Sequence, residues 1–302
     1  MEKPAQSRKI RGEFRYEEPL ARYTSWRVGG PAERLFHPTD KDDLILFLET
    51  LSPDEPLFWL GLGSNVLVRD GGIRGTVICT RGRLKAMRLQ SEHSIIVEAG
   101  VPCAHVARFC SEQGLTGAEF LAGIPGTFGG ALAMNAGAFG GETWDLVKTV
   151  QTVNRQGLCH EREVKAFEIS YRHVNGRADE WFLSATLVLS PGESEGGQNR
   201  IRALLAKRAQ TQPIQLPSCG SVFRNPPGDH AARLIEVSGL KGYAIGGASV
   251  SEKHANFIVN NGGATAAEIE KLIRYVIKEV RKKQRIILKT EVCIVGEEPR
   301  KG

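Results

Sequence analysis

The stretch that most limits what this chain can fold into runs from Gly117 to Gly141, GAEFLAGIPGTFGGALAMNAGAFGG. A flexible linker this rich in glycine would be polar, yet Phe120, Leu121, Ile124, Phe128, Leu132, Met134 and Phe139 favour burial. Glycine without Cβ lets a backbone turn tightly and bring its N–H groups against a ligand, while Pro125 pre-sets one turn and Asn135 adds amide donors and an acceptor. Two readings fit: a phosphate-bearing cofactor lying on this backbone, or a set of tight turns packed beneath a sheet.

The rest of the chain must house that stretch. At 302 residues, 41% hydrophobic and 25% charged, it is long enough for two or three packed units. Its apolar runs, such as Val66–Val68 and Ile95–Val97, are strand-sized, and the first 15 residues lack the apolar centre of a signal peptide. The expectation is a cytoplasmic protein with no membrane partner. The six cysteines form no CxxC pair and no four-ligand pattern, so neither zinc nor a disulfide framework is expected. A net charge of +6 is concentrated in Arg200–Arg208 and Lys271–Lys289. Those runs have helical periodicity and no interleaved aromatics, which favours a solvated helix face over a nucleic-acid site; a basic surface also attracts an anionic small molecule.

Taken in order, residues 1–20 read as a loose arm, and order is expected to start near Tyr23 and run into a Gly29-Gly30-Pro31 turn. Thr39 or Asp40 caps a helix bearing Leu44, Phe47, Leu48 and Leu51 on one face. The strand Leu57–Leu60 enters Gly61-Leu62-Gly63-Ser64-Asn65. This turn is no Rossmann fingerprint, because Val66 holds the third glycine position and strands follow where a crossover helix is required. A glycine loop between strands can still offer N–H groups to a pyrophosphate.

Further strands are expected at 84–89, 94–99, 147–153, 158–163 and 181–190, with a helix from Pro102. Residues 191–199 (PGESEGGQN) read as the boundary to a final unit. There, helices at 200–210 and 231–238 and a long one capped by Thr265 and Glu268 surround a strand at 256–259. Short strands at 286–288 and 292–295 flank Glu291. The fold class is α+β, with a first region, 1–195, in lobes of about 1–82 and 83–195, a third unit at 200–285, and C-terminal strands at 286–302 that can pack back on the first lobe.

Tyr171-Arg172, Ser221 and Glu291 are polar where a core-building sequence needs none. Singly they read as an edge salt bridge, a turn residue and a solvent-facing carboxylate, and no GxSxG elbow surrounds Ser221. Taken in order with the glycine loops, GLGSNVLV, GIPGTFGGALAMNAGAFGGE, Ser170-Tyr171-Arg172, PSCGSVFRNP, LIEVSGLKG with GGASVSEKHANFIVN, and Lys289-Thr290-Glu291-Val292 resemble the UDP-N-acetylenolpyruvoylglucosamine reductase (UDP-N-acetylmuramate dehydrogenase) family from about Tyr23 to Gly296.

That resemblance implies a two-lobed FAD-binding fold of the vanillyl-alcohol oxidase type with a C-terminal substrate domain, in peptidoglycan synthesis. It also implies NADPH as hydride donor and UDP-N-acetylglucosamine enolpyruvate as substrate. On the family pattern Ser221 donates a proton, Arg172 and Glu291 stabilise the enolic intermediate, and Tyr171, Arg224 and Asn225 help hold substrate. Gly61, Gly63, Ser64 and Asn65 would meet the flavin from one side, and Ile124, Pro125, Gly126, Gly130, Asn135, Gly137 and Ala138 from the other. With no His or Cys in the flavin-facing stretch, the FAD is expected to be noncovalent. Arg224 stands where many relatives carry Lys. The short span from Arg172 to Ser221 resembles the subgroup lacking an inserted tyrosine loop. The competing readings are an oxidase on the same flavin fold and a colourless nucleic-acid-binding protein.

Overall fold

The computed structural model describes residues 8–299. Its first lobe is a mixed sheet in the order Glu13–Pro19, Pro31–His37, Ile73–Cys79, Leu57–Leu60, with only the first pair antiparallel. The first strand corrects the expectation of a loose arm: Phe14 stacks on Phe36 at 4.8 Å, and that apolar contact together with the ladder to 31–37 orders residues that local pattern left unassigned. The part of the arm at residues 1–7 lies outside the described residues. Helix α1 (Lys41–Glu49) starts at Asp40, whose side chain accepts from the Asp43 N–H.

The second lobe is an antiparallel sheet ordered Cys159–Glu163, Val147–Asn154, Glu180–Val188, Ser94–Glu98, Met87–Ser91. Helix α2 (Cys103–Glu112) packs against the glycine-rich stretch. That stretch contains a 3-10 turn at Glu119–Gly123 and then helix α3 (Phe128–Met134), ended by Asn135 in the left-handed conformation. The helix arises because Thr127 caps it and Phe128, Ala131 and Leu132 share a buried face. The lobes meet through Phe36, Leu44, Phe47 and Ile78 on one side and Val153 and Leu183 on the other. Trp59 stacks on Trp181 at 5.2 Å across the same seam.

Helix α4 spans Ser194–Thr211 and begins within the segment expected to be an irregular connection. Its start is held by a tertiary contact, the Ser111 hydroxyl of α2 donating to the Ser194 carbonyl at 2.9 Å. Ile201 and Leu205 then join the second-lobe core.

The third unit holds α5 (Ala231–Val237), a small antiparallel sheet (Ala244–Ile245, Ala248–Val250, Ile258–Asn260) and α6 (Ala266–Gln284). Its core includes Trp26, Val28 and Leu67 of the first lobe. Trp26 is wholly buried, donating its indole N–H to the Ile258 carbonyl at 2.7 Å, and its own carbonyl accepts from Asn260 at 2.9 Å. The strand Cys293–Val295 returns to pair in parallel with Val66–Val68, just after the first glycine loop. Residues 286–288 form no strand, and residues 300–302 lie outside the described range.

Candidate active site

Three stretches far apart in sequence converge between the lobes. Arg172 sits in the turn between the strands Glu168–Ser170 and His173–Asn175, at a φ of 53°. A non-glycine residue keeps that conformation only when its surroundings hold it. Here its Nη2 donates to the Gly137 carbonyl at 2.6 Å and Nη1 to the Asn135 carbonyl at 3.3 Å, and the guanidinium lies 5.3 Å from the Tyr171 ring centre. Its Nε is 3.0 Å from Glu291 Oε1, but off the line of the N–H, so this buried N–H has no hydrogen-bond acceptor among the described residues. The same holds for the buried Nε of Arg224.

Glu291 feels both cations, as an ion pair with Arg172 at 3.0 Å and through the charge of Arg224. Burial pushes its carboxyl above the ordinary range, outweighing the pull of Arg172 and then Arg224 in the other direction. Its position is fixed by the backbone: the Glu291 N–H donates to the Val222 carbonyl at 2.8 Å, and the Arg224 N–H donates to the Lys289 carbonyl at 2.9 Å. The segment carrying Ser221 therefore runs alongside the one carrying Glu291. Asn65 ties the first glycine loop to the same point, donating to the Glu291 carbonyl at 3.0 Å and accepting from the Cys293 N–H at 3.0 Å.

The two glycine loops face each other. A Cβ on Gly61 would collide with Thr127 Oγ1, and one on Gly63, whose φ is 59°, would collide with the Tyr23 carbonyl. Only glycine allows both approaches. The sequence-derived candidates do not all face open space. Asn135 is buried, with its amide donating to Glu142 at 2.8 Å and accepting from the Trp144 N–H at 3.1 Å, so it shapes the loop through its backbone carbonyl to Arg172. The Asn225 side-chain Oδ1 accepts from the Ala231 N–H at 3.0 Å at the start of α5, which leaves the Nδ2 hydrogens of the same amide to donate elsewhere. Ile124 is buried in the second-lobe core, Gly137 and Ala138 pair with Gly141 and Glu142, and Gly130 caps onto Thr127.

Whether these loops suit a dinucleotide can be judged from the cleft beside them. A cavity of about 770 Å³ is bordered by Leu62 and Pro125 of the two loops, by Tyr23–Ser25, and by Ser218 and Gly220 next to Ser221. Arg22, Arg27, Arg81 and Arg208 also line it, and among the described residues no carboxylate does. Arg208 has no acidic partner among the described residues, and burial lowers its pKa. One part-buried guanidinium, Arg208, and three exposed ones, Arg22, Arg27 and Arg81, beside backbone loops suit a pyrophosphate, so the chain's residues fit FAD. Apart from Arg208, which ends the basic run 200–208, these arginines were not singled out from the sequence, because they are scattered and look like ordinary surface cations.

Two facing lobes with glycine loops and a third unit closing the cleft define a FAD-binding oxidoreductase. The comparisons agree. A family model described as a FAD binding domain matches residues 32–162, and one described as the UDP-N-acetylenolpyruvoylglucosamine reductase C-terminal domain matches residues 212–295. UDP-N-acetylenolpyruvoylglucosamine reductases of Methylococcus capsulatus and Alkalilimnicola ehrlichii are 63% and 61% identical to the chain, each alignment covering 95% of it and 94% and 96% of the relative. The crystal structure of the Thermus caldophilus enzyme of that name superposes with a TM-score of 0.81 at 31% identity, covering 95% of this chain and 99% of that one. The chain belongs to the UDP-N-acetylenolpyruvoylglucosamine reductase family.

Proposed function

We propose that Ser221, Arg172 and Glu291 form the reducing site of this enzyme, with Arg224, Asn225 and Tyr171 holding substrate. As a member of its family the chain is an FAD-dependent oxidoreductase that uses NADPH to reduce UDP-N-acetylglucosamine enolpyruvate to UDP-N-acetylmuramate in peptidoglycan synthesis. The bound flavin supplies hydride transfer from NADPH to the enolpyruvyl double bond. This chain's residues orient the partners, stabilise charge and move one proton.

The observation that carries the site assignment is the two guanidinium groups near Glu291: Arg172, ion-paired with it at 3.0 Å without a well-aimed Nε hydrogen bond, and Arg224, whose buried Nε has no acceptor among the described residues. Such donors call for an anionic acceptor, and the enolpyruvyl carboxylate is one that gains charge as hydride adds to the double bond. Glu291, holding its proton more tightly than an ordinary carboxyl, would reduce repulsion of that carboxylate. Ser221 then delivers a proton to the carbon beside the carboxylate. A hydroxyl is a weak acid, and the strongly basic acceptor offsets that weakness.

The flavin would be held by Gly61, Gly63, Ser64 and Asn65 on one side and Ile124, Pro125, Gly126, Gly130, Gly137 and Ala138 on the other, with Asn135 shaping the loop. Arg208 and its neighbours would face the pyrophosphate. A noncovalent attachment is supported by Cys219 beside the first glycine loop, which is buried and whose thiol is pushed up to about 12. The third unit begins at about Gln212, where the chain leaves α4. Among the described residues no helix is long and apolar enough to cross a membrane, and the six cysteines are all free, which suits a cytoplasmic setting.

Stopped-flow spectroscopy tests the assignment. Ser221→Ala should leave flavin reduction by NADPH intact and slow reoxidation by the enolpyruvate roughly a hundredfold or more. Reoxidation at the wild-type rate would remove Ser221 from the proton-donor role.

A further inference from the structure

Ser221 lies in a short arch whose two ends are pinned to the third unit. On one side Ser218 bridges to Val259, and the Asn260 N–H donates to the Pro217 carbonyl at 3.0 Å. On the other, a single residue, Asn256, does the pinning. Its backbone carbonyl accepts from the Val222 N–H at 2.9 Å, its side-chain Oδ1 accepts from the Phe223 N–H at 2.9 Å, and its Nδ2 donates to the Phe223 carbonyl at 2.8 Å. Asn256 is 4% exposed, within the apolar run Ala255–Val259. A primary amide that serves both polar groups of one residue does the work of a neighbouring strand over a single position. It does so where the other edge of the filament is already committed, through Val222 and Arg224, to Glu291 and Lys289.

We infer that Asn256 is a positioning residue for proton delivery, setting the register of Ser221 against Glu291 without touching substrate or flavin itself. The inference rests on the reading of Ser221 as proton donor. The arch contains Gly220 at a φ of 69°, the residue type that restricts the backbone least, so the hydrogen bonds at its ends set the backbone that carries Ser221. Replacing the amide by a carboxylate of the same shape sets an oxygen against the Phe223 carbonyl and removes a donor, which frees the filament on that edge. A small misplacement of a reacting group costs rate steeply. Flavin reduction by NADPH does not need the serine proton and is spared.

A double-mutant cycle on the FAD-loaded protein tests this. Asn256→Asp alone should slow reoxidation by the enolpyruvate about tenfold or more, with flavin reduction by NADPH unchanged. In a Ser221→Ala background the same substitution should cost almost nothing further, because the group it positions is gone. An equal loss in both backgrounds, or a slowing of both half-reactions together, would overturn the positioning role. Wild-type reoxidation in Ser221→Ala alone would instead overturn the reading of the serine. Should Asn256→Asp fail to fold, Asn256→Ser enters the same cycle. In the unsubstituted protein, the Phe223 amide must exchange slowly with solvent deuterium, and fast exchange would likewise defeat the inference.

Discussion

Glu291 is the residue whose protonation most directly couples fold to chemistry. Burial raises its folded pKa, whereas in the unfolded chain it titrates at the ordinary carboxylate value. The folded protein therefore binds this proton more tightly, and the associated stability is complete below the ordinary value and lost as pH rises through the raised one. Glu291→Gln removes that titration. As pH rises from about 4, the ordinary carboxylate value, the variant's Tm should gain on that of the wild type, and a difference flat in pH would exclude the effect. Gly63 is constrained in another way: with a φ of 59° and the Tyr23 carbonyl against its α-carbon, Gly63→Ala should cost about 1 to 2 kcal/mol and lower the flavin retained on purification. Absorbance ratios and thermal melts check both parts. Such residues were legible because glycine, serine and acidic side chains stand out in apolar surroundings. Asn256 carried the same signal, a lone amide in an apolar run, and was overlooked because its partner Phe223 is 33 residues away.

At the scale of elements, local pattern located most of what local energetics decides. The Thr265 and Glu268 capping box of α6 forms as expected, with Glu268 N–H donating to Thr265 Oγ1 at 3.1 Å. A second cap comes from the first lobe: Asp70 accepts from the Ala266 and Ala267 N–H groups at 3.0 and 2.9 Å, across 196 residues of sequence. Beside it Arg69 forms a two-point pair with Glu270 of the same helix at 2.9 and 3.1 Å. Asp70→Ala should cost about 1 to 2 kcal/mol in urea denaturation, comparable with a lost N-cap, and loosen the third unit from the first lobe. A loss indistinguishable from zero would show that water replaces the cap. Spacing along the chain holds no trace of such a contact, just as it could not show that residues 13–19 pair with 31–37 or that α4 starts at Ser194.

Across the whole molecule, the cleft is lined by all three units, so residues proposed to meet the cofactor's phosphates also belong to elements that assemble the fold. Arg208 reaches the cleft from the end of α4, a helix whose Ile201 and Leu205 belong to the second-lobe core. Titrating the apoprotein, Arg208→Ala should weaken FAD about ten- to a hundredfold and leave riboflavin, which lacks phosphate, nearly unaffected. Equal weakening of both ligands would place the arginine elsewhere. Trp26 shows how firmly the first lobe and third unit are fused, since its ring is core to the latter while its chain belongs to the former. Trp26→Ala should cost about 3 to 5 kcal/mol, read as a lower urea midpoint.

The amino-acid sequence by itself determined the α+β class, most helices and strands, the two glycine loops and the ordered blocks that mark the family, because periodicity, caps and small residues act over a few positions. Tertiary structure alone decided that Arg172 pairs with Glu291, that the segment carrying Ser221 runs beside Glu291, that Arg224 keeps a buried Nε without an acceptor among the described residues, and that Asn256 and Asp70 bind segments distant in sequence. The reason is physical. A buried donor must find its acceptor wherever the packed core brings one, and which one that is depends on how sheets and helices from the entire chain pack, not on residues nearby in sequence.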